Sequence, residues 1–155
     1  MEGRIVYEFL GYQTHDVMTR EPLTIAPDAP LREAEEIFEQ HNFNALPVVA
    51  LGGEVIGLLS KLDILRAFRF TEDHMIPPYE EIAQHPVSSV MSRDLHCVCP
   101  RTPLTRVLEK MIDTRDKSFP VIDGEDLVGM VAREDLLRAL RGAAAHKKPS
   151  EIERP

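Results

Sequence analysis

The sequence contains one stretch of roughly 50 residues twice, and this internal repeat constrains the fold more than any other feature. In the first copy, residues 46–49 read Leu-Pro-Val-Val, and a Gly-Gly turn and a second apolar run follow. In the second copy, residues 119–122 read Phe-Pro-Val-Ile and lead to an Asp-Gly turn. Pro47 and Pro120 lie 73 positions apart, and positions after the second turn lie 72 apart. A repeat of this kind predicts two copies of one structural unit.

The apolar pattern within each repeat predicts the same order of elements. A short strand comes first, and an amphipathic helix of about 11 residues is predicted to begin at Pro30 and again at Pro103. Two β-rich runs joined by a turn then form a hairpin, and a second helix follows each hairpin. Thr102 is expected to cap the helix at Pro103, and Gly142 is placed to end the last helix. Each repeat is therefore predicted to fold in the order β-α-β-β-α.

The repeat divides the chain into five segments. They are an N-terminal extension at 1–15, a first unit at 16–70, a linker at 71–88, a second unit at 89–141 and a C-terminal tail at 142–155. The tail is polar, and we expect it to be frayed. One such unit buries too little surface to be stable alone, so two units are predicted to share a core.

Composition excludes several classes of protein. The 155 residues are 43% hydrophobic and 28% charged, which is ordinary for a globular domain. The formal net charge of −8 speaks against a nucleic-acid binder, because neutralising phosphates requires a basic face. No apolar run approaches the ~18 residues of a membrane span, and the first residues lack a signal-peptide pattern. We therefore expect a cytoplasmic protein without membrane contact.

The residues that most often form metal or redox sites give no such pattern here. Cys97 and Cys99 are too few for a disulfide framework or a structural zinc site, and they are interpreted as small buried apolar residues. The six histidines show neither i, i+4 pairing nor clustering with cysteine. The sequence therefore predicts no metal site and no catalytic residues.

The order of short motifs points to a family. Val17-Met18-Thr19 opens the first repeat and is matched by residues 90–92, and the first strand of each repeat ends in proline. The first repeat ends in Gly-x-x-Ser-x-x-Asp, from Gly57 to Asp63. Because these motifs occur in one order twice, the chain resembles a tandem pair of cystathionine-β-synthase (CBS) domains, also called a Bateman module. The resemblance covers roughly 125 of the 155 residues.

The resemblance implies an architecture and a type of ligand. It implies a fold of the α+β or α/β class, in which two β-α-β-β-α units are related by pseudo-twofold symmetry and packed through their sheets. It implies a homodimer and the regulatory binding of adenosine-containing ligands, namely AMP, ADP, ATP or S-adenosylmethionine, and in some members NAD or dinucleotides. By the same resemblance, adenine would lie against Thr24, Ile25, Ala26, Ala45, Leu46 and Pro47 in the first unit and against Val98, Phe119 and Pro120 in the second.

The residues at the start of each second helix suit such a ligand. The carboxylate of Asp63, or of Asp135 in the second copy, can accept hydrogen bonds from both hydroxyls of a ribose. A helix N-terminus offers free N–H groups to phosphate, and Lys61 and Arg133 lie beside those two N-termini. Ser60 adds a hydroxyl in the first copy only.

A purely structural interpretation of the same residues stays open. Serine at an N-cap with an acid three residues later forms a capping box, which stabilises a helix without any ligand. Ala132 cannot form the serine half of that box, although Asp135 keeps its place in the second repeat. An acid in the first helical turn also favours the helix dipole.

These observations favour a non-catalytic regulatory module that senses an adenosine ligand in the cleft between the two units. The cleft that contains Asp63 is predicted to bind more tightly, because it also offers the Ser60 hydroxyl. A homodimer is predicted to form through the stripes Leu62-Leu65-Phe68 and Leu136-Leu137-Leu140, and a regulated partner protein is left unidentified. One alternative is a structural dimerisation or interaction module whose clefts stay empty. The other is an enzyme such as a nucleotide hydrolase, for which no set of nucleophile, base and metal ligands is found.

Overall fold

The computed structural model describes residues 8–70, 72 and 78–152. In chain order, its helices and strands are α1 (Thr14–Val17), β1 (Thr19–Arg20), α2 (Leu31–Gln40), β2 (Ala45–Val49), β3 (Val55–Ser60), α3 (Lys61–Ala67), α4 (Tyr79–Ala83), α5 (Leu104–Thr114), β4 (Ser118–Asp123), β5 (Asp126–Ala132) and α6 (Arg133–Ala144). Short 3₁₀ helices occupy Glu8–Gly11, Val87–Ser89 and Pro149–Glu151.

The chain forms two compact units whose bounds differ from those of the sequence repeats. The first-repeat unit is Leu23–Leu95. The second-repeat unit joins the described residues of Met1–Pro22 to those of His96–Pro155. Each unit therefore has its own sheet and its own core, and each is described separately below.

The first-repeat unit is built on the antiparallel hairpin β2–β3. Leu46 pairs with Leu59, and Ile25 adds a single parallel bridge to Val48. The side chains of one face of the hairpin pack against α2 and α3, as the alternation of a half-buried strand requires. The buried core is Ile25, Ala29, Leu31, Ala34, Phe38, Leu46, Val48, Leu59, Ile64, Ile82, Val87 and Met91.

The second-repeat unit has a three-stranded sheet in the order β1-β5-β4. Phe119 pairs with Val131 in the β4–β5 hairpin, and Val98 forms the parallel bridge to Val121. Its core is larger because the N-terminal residues contribute to it. The core consists of Phe9, Tyr12, Val17, Met18, Val98, Leu104, Val107, Met111, Phe119, Val121, Val131, Leu136, Ala139, Ala143 and Ile152.

The Val-Met-Thr/Ser segment that opens each repeat lies in the unit formed by the other repeat. Thr19 pairs with Met130 on β5, and Ser92 forms a bridge to Leu58 on β3. Gly129 on β5 and Gly57 on β3 have no side chain, which allows the opening segments to approach these strands closely. A methyl group at Gly129 would lie 2.7 Å from both the Met18 sulfur and the Thr19 carbonyl oxygen. The repeat visible in the sequence is therefore not the unit that packs.

Most predicted elements are confirmed, and two details of the helix starts and strands are wrong. The helix predicted at Pro30 is α2, which has 10 residues and Pro30 at its N-cap. The first strand of the first repeat is reduced to the bridge at Ile25. Thr102 does not cap α5, because Pro103 occupies the N-cap and the Thr102 hydroxyl accepts from the Cys99 N–H at 3.0 Å.

The prediction of a frayed C-terminal tail is wrong as far as Ile152. α6 continues past Gly142 to Ala144, and Ile152 is buried against the glycine, where a Cβ would lie 3.0 Å from its side chain. The Tyr12 hydroxyl donates to the Lys147 carbonyl at 2.7 Å, so the N-terminal segment holds the tail in place. Apolar burial at Ile152 outweighs the polar composition around it.

The linker contributes structure to the first-repeat unit. The end of the predicted linker forms α4, and Ile82 and Ala83 are buried on that helix. The Tyr79 ring stacks on Phe68 with ring centroids 5.2 Å apart. Residues 71 and 73–77 of the predicted linker lie outside the described part of the chain.

Candidate functional site

In the first-repeat unit, the candidate site begins at the N-terminus of α3. The Ser60 N–H donates to Asp63 Oδ2 at 2.8 Å, and the Asp63 N–H donates to Ser60 Oγ at 3.2 Å. These reciprocal bonds form the capping box that the structural interpretation predicts. Arg66 Nη1 donates to the other carboxylate oxygen of Asp63 at 3.3 Å. The Asp63 side chain is 8% exposed, whereas that of Arg66 is 63% exposed.

In the second-repeat unit, the N-terminus of α6 has only part of this arrangement. The Ala132 N–H donates to Asp135 Oδ2 at 2.7 Å, and Arg138 Nη2 donates to Asp135 Oδ1. No hydroxyl returns the second bond, because residue 132 is alanine. The Arg138 side chain is only 22% exposed, so this ion pair is held deeper than its counterpart. Burial raises the pKa of the Asp135 carboxyl, and the Ala132 N–H and Arg138 oppose that rise.

The two cations predicted beside these helix starts are placed differently. Lys61 is exposed, and its ammonium lies 6.0 Å from the centre of the Phe38 ring. Arg133 instead donates from Nη2 to the Arg115 carbonyl at 2.7 Å and from Nε to the Asp116 carbonyl at 3.3 Å. Its guanidinium thus holds the end of α5, where helix carbonyls have no partner within the helix.

The residues predicted to surround adenine fall into a buried set and an exposed set. Leu46 and Phe119 are fully buried core side chains, and Pro47 and Pro120 beside them are also buried. The side chains of Leu46 and Phe119 therefore offer almost no surface to a ligand.

The exposed members of the predicted set lie around the bridge that Ile25 forms with the hairpin. The Ile25 N–H donates to the Pro47 carbonyl at 3.0 Å, and the Ile25 carbonyl accepts from Val49 at 2.9 Å. Val98 makes the matching bonds to Pro120 and Ile122. In the first-repeat unit, Thr24 and Ala26 are exposed on either side of the bridge, and Ala45 is half-buried.

Three cations that sequence analysis missed contact the candidate residues. Arg66 and Arg138 pair with the two acids, and their i, i+3 spacing from Asp63 and Asp135 was a usable signal. Lys110 donates to the Cys97 carbonyl at 2.7 Å and lies 5.6 Å from the centre of the Phe119 ring. No local pattern connects residue 110 with residue 97, so only the packing of α5 reveals this contact.

The cysteines differ from the prediction of small buried residues. Cys99 is exposed and Cys97 is half-buried, with burial raising the pKa of the Cys97 thiol. The reason is the alternation of extended chain, because Val98 between them points into the core. The prediction is therefore wrong for Cys99.

An apolar groove lies between α5 and α6 of the second-repeat unit. Its volume is about 360 Å³, and it is lined by Leu108, Met111, Ile112, Arg115, Arg133, Leu136, Leu137 and Leu140. Ile112 and Leu137 are the most exposed of its apolar residues, at 66% and 60%. We call this surface the α5–α6 groove.

The stripes predicted for a dimer contact are only partly exposed. On α3, Leu62 and Leu65 are exposed, whereas Phe68 is half-buried under Tyr79. On α6, Leu137 is exposed and Leu136 is buried in the core. The exposed members can contact another chain without any unfolding.

Two further features of the described residues bear on the type of protein. In residues 8–70, 72 and 78–152, no three His, Cys, Asp or Glu side chains come together in a way that could hold a metal ion. Over the same part of the chain, each helix is too short or too polar to cross a bilayer.

The comparison with protein families identifies the two repeats. The model of the CBS domain matches residues 15–69 and again residues 87–142, which together exceed half of the chain. The chain belongs to the CBS domain family. The predicted tandem pair and its α+β fold are thus confirmed, and the site residues named above stay predictions.

Individual relatives show how CBS pairs occur. The chain is 35% identical over 121 residues to the CBS domain-containing protein YhcV of Bacillus subtilis, covering 78% of this chain and 80% of that protein. It is 28% identical over 123 residues to the A-adding tRNA nucleotidyltransferase of Geobacter sulfurreducens, but spans only 13% of that enzyme. Such a pair therefore occurs in small proteins and as one part of larger enzymes.

Among solved structures, the chain is similar to the CBS domain pair of protein MJ0100 in complex with 5′-methylthioadenosine and S-adenosyl-L-methionine. The two are 25% identical with a TM-score of 0.70, over 84% of this chain and 97% of that one.

Proposed function

We propose that this CBS pair is a non-catalytic regulatory module that binds an adenosine-containing ligand, either an adenine nucleotide (AMP, ADP or ATP) or S-adenosylmethionine. The observation that carries the proposal is the likeness to the MJ0100 pair, which holds two adenosine compounds and is matched over nearly its whole length. The proposed contacts are the residues predicted above, centred on Asp63 in the first-repeat unit and Asp135 in the second.

The geometry of the helix starts supports a ribose contact under one condition. A carboxylate has about four lone-pair sites, so an acid that caps a helix through one oxygen keeps acceptor capacity on the other. At Asp63 that other oxygen is bonded to Arg66, whose side chain is largely exposed and can rotate away. The ribose hydroxyls would then replace the guanidinium on Oδ1.

The same geometry supports tighter binding at Asp63 than at Asp135. Arg138 is more deeply buried than Arg66, so the second-repeat carboxylate is harder to release. Ser60 supplies a hydroxyl that Ala132 lacks, and a lost hydrogen bond costs roughly 0.5–1.5 kcal/mol, which is about three- to tenfold in affinity. Arg133 does not offset this in its present position, because its guanidinium is bonded to carbonyls at the end of α5.

The proposal is tested first by identifying the ligand. Mass spectrometry of small molecules released from the purified protein is expected to find an adenosine compound. A thermal-shift panel of AMP, ADP, ATP, S-adenosylmethionine and guanosine controls then measures binding, since a ligand at 100 times its Kd adds about 2.7 kcal/mol of stability. If no adenosine compound shifts the melting temperature at millimolar concentration, the proposal is wrong.

The two sites are then separated by calorimetry. Asp63→Ala is expected to remove the tighter binding event, and Asp135→Ala is expected to leave it. Arg66→Gln and Arg138→Gln form a matched pair, and the former should strengthen or preserve binding at Asp63 because it frees Oδ1. If Asp135→Ala loses the tighter binding event and Asp63→Ala keeps it, the predicted order of the two affinities is reversed.

An association module without a ligand is the second candidate, and the α5–α6 groove favours it. An exposed groove lined mainly by leucine, methionine and isoleucine is typical of a contact surface. We propose that the chain forms a homodimer, and light scattering at micromolar concentration measures this directly. Empty sites together with a stable dimer would favour this candidate. A cytoplasmic location and a regulated partner protein stay predictions.

A further inference from the structure

Two cysteine side chains flank the residue through which the first strand of the second repeat joins its sheet. Val98 is buried, whereas Cys97 before it is half-buried and Cys99 after it is exposed. The Val98 N–H donates to the Pro120 carbonyl at 3.0 Å, and the Val98 carbonyl accepts from the Ile122 N–H at 2.8 Å. This bridge keeps the chain extended, so the two thiol side chains lie on the same face of the segment, opposite to that of Val98.

The first repeat shows that packing does not require cysteine at these positions. Residues 97–99 lie 73 positions after Thr24, Ile25 and Ala26. Ile25 is buried and makes the same pair of backbone bonds as Val98, but its neighbours are threonine and alanine. The structural unit therefore needs only the buried β-branched residue in the middle, and the pair of thiols is specific to the second copy.

The backbone on each side of Val98 is also held in place. Lys110 Nζ donates to the Cys97 carbonyl at 2.7 Å, and the Cys99 N–H donates to Thr102 Oγ1 at 3.0 Å. Burial is the largest cause that raises the pKa of the Cys97 thiol, while Lys110 opposes the rise and a charge on Cys99 adds to it. The two thiols are thus presented together from a fixed segment, beside one positive charge.

The spacing of these side chains suits a bridging ion better than a disulfide. Side chains two positions apart on an extended chain are about 6.4–6.8 Å apart, because each residue adds about 3.2–3.4 Å. A disulfide needs Cβ atoms about 3.5–4.5 Å apart and a sulfur–sulfur bond of about 2.0 Å. Two metal–sulfur bonds of about 2.3 Å each separate the sulfurs by up to about 4.6 Å. The additional length covers the gap that a disulfide cannot span without bending the segment.

We propose that Cys97 and Cys99 form a two-coordinate site for a soft monovalent metal ion, with Cu(I) as the ion that thiolates select. Both thiols lose their protons when the ion binds, and the ion keeps its oxidation state, so no electron is transferred. The complex of two thiolates with one monovalent ion carries one net negative charge, which the nearby Lys110 ammonium balances. The ligands are the two thiols alone, so the site does not depend on adenosine binding.

The same surroundings disfavour ions that need more ligands. Zn(II) takes four ligands in structural sites. Within the described residues, His, Cys, Asp and Glu side chains do not gather in a group of three that could hold a metal ion. His96, the nearest histidine in the sequence, is bonded through Nδ1 to Asp116 Oδ2 at 2.7 Å. A soft ion that accepts two ligands is therefore the metal that this pair fits.

Competition for Cu(I) tests the site on the full chain. The protein is titrated without oxygen against the chelator bicinchoninate, and one Cu(I) per chain is expected to bind. Cys97→Ser and Cys99→Ser should each weaken binding by more than about 100-fold, since losing an outer-shell partner alone costs about 10–100-fold. X-ray absorption should show two sulfur neighbours of the bound copper. Unchanged affinity in either variant, or a nitrogen neighbour, would overturn the site.

A matched control keeps two thiols per chain but separates them. Cys99→Ser combined with Gly52→Cys moves the second thiol to the exposed hairpin turn of the first-repeat unit, where nothing lies within 4 Å of the Cβ position. This variant should bind as weakly as Cys99→Ser alone. Affinity equal to wild type would mean adventitious thiol binding only and would overturn the site. One Cu(I) per two chains of wild type would also overturn it, because the ion would then bridge cysteines of different chains.

Oxidation measures the spacing of the thiols without a metal. Wild type is incubated with glutathione disulfide, and the free thiols and the mass of the chain are then measured. A disulfide between Cys97 and Cys99 is expected to form slowly or not at all, because closing it requires the extended segment to bend. Rapid formation of that disulfide would show that the two sulfurs reach each other directly. The two thiols would then be a redox pair, and the metal site would be wrong.

Discussion

The two helix starts derive from the same repeat position but are stabilised differently. At α3, a serine hydroxyl and a carboxylate exchange bonds with two backbone N–H groups, and the largely exposed Arg66 forms an ion pair with the buried acid. At α6, alanine leaves the second exchange unmade, and Arg138 forms a more buried pair with Asp135. The acid at the third helical position is thus common to both, while its surroundings are not.

This difference shows that the acid alone does not identify a ligand site. In both units one carboxylate oxygen serves the helix N-terminus, which explains its presence without a ligand. A functional role must therefore be judged from the other oxygen and from the arginine that covers it. That oxygen is easier to reach at Asp63 than at Asp135, because Arg66 is the more exposed arginine.

The largest effect is expected where the two units are alike. Gly129→Ala and Gly57→Ala should each destabilise the protein by about 1–3 kcal/mol, because a new methyl would overlap Met18 or Met91 and a backbone carbonyl. Gly52→Ala is the control, since nothing lies within 4 Å of its Cβ position. Urea denaturation measures all three. A neutral Gly129→Ala would contradict the close docking of the opening segment on β5.

Replacing the acid at each helix start should destabilise the protein by a different amount in the two units. Asp135→Ala removes the side-chain acceptor seen at the start of α6 and should cost about 1–2 kcal/mol. Asp63→Ala should cost less, about 1 kcal/mol or below, because Ser60 Oγ can still accept from the N–H of residue 63. Chemical denaturation compares the two variants. Equal losses would mean that the serine contributes nothing.

Exchanging the capping residues should make the two helix starts alike. Ser60→Ala is expected to cost about 1 kcal/mol, and Ala132→Ser is expected to stabilise by up to a similar amount. The matching positions make each variant the control for the other. Thermal unfolding of both, and of the double variant, gives the measurement. If Ala132→Ser has no effect, the N-cap geometry at α6 does not accept the hydroxyl.

The smallest expected effect is a dependence of the protein's stability on pH that is caused by the Asp135 carboxyl. Because burial raises the pKa of this carboxyl above its ordinary value of 3.8, the folded state binds its proton more readily than the unfolded state. The stability of wild type relative to Asp135→Asn should therefore be greatest below pH 3.8 and should fall as pH rises through the folded pKa. Urea titrations at several pH values measure this difference. Asp63→Asn, the same substitution at the matching position of the first repeat, is the control. If the stability of wild type relative to Asp135→Asn increases with pH, the burial of the charge is contradicted.

Much of the fold could be predicted because local patterns are strong here. The proline at the start of α2 and the glycine turns of the hairpins placed those elements correctly. The cap of α5 was predicted wrongly, because Thr102 bonds to the Cys99 N–H in the preceding turn. Such competition between a side chain and alternative backbone donors is not visible in composition.

The candidate site was predicted less completely than the fold. Asp63 and Asp135 stand at the helix starts as expected, but Leu46 and Phe119 proved to be core side chains. Their apolar character predicted burial equally well, and the sequence alone could not say whether a core or a ligand would cover them.

The sequence by itself determined the two copies of the unit, their elements and the acid at each helix start, because these follow from periodicity and from local hydrogen bonding. Only the tertiary structure decided that each opening segment joins the other repeat's unit, as Thr19 does on β5. Only the tertiary structure also placed Arg133 on the end of α5 and Ile152 in the core. The physical reason is that these contacts join residues far apart in the chain. Their free energy depends on close packing and burial that no local pattern records.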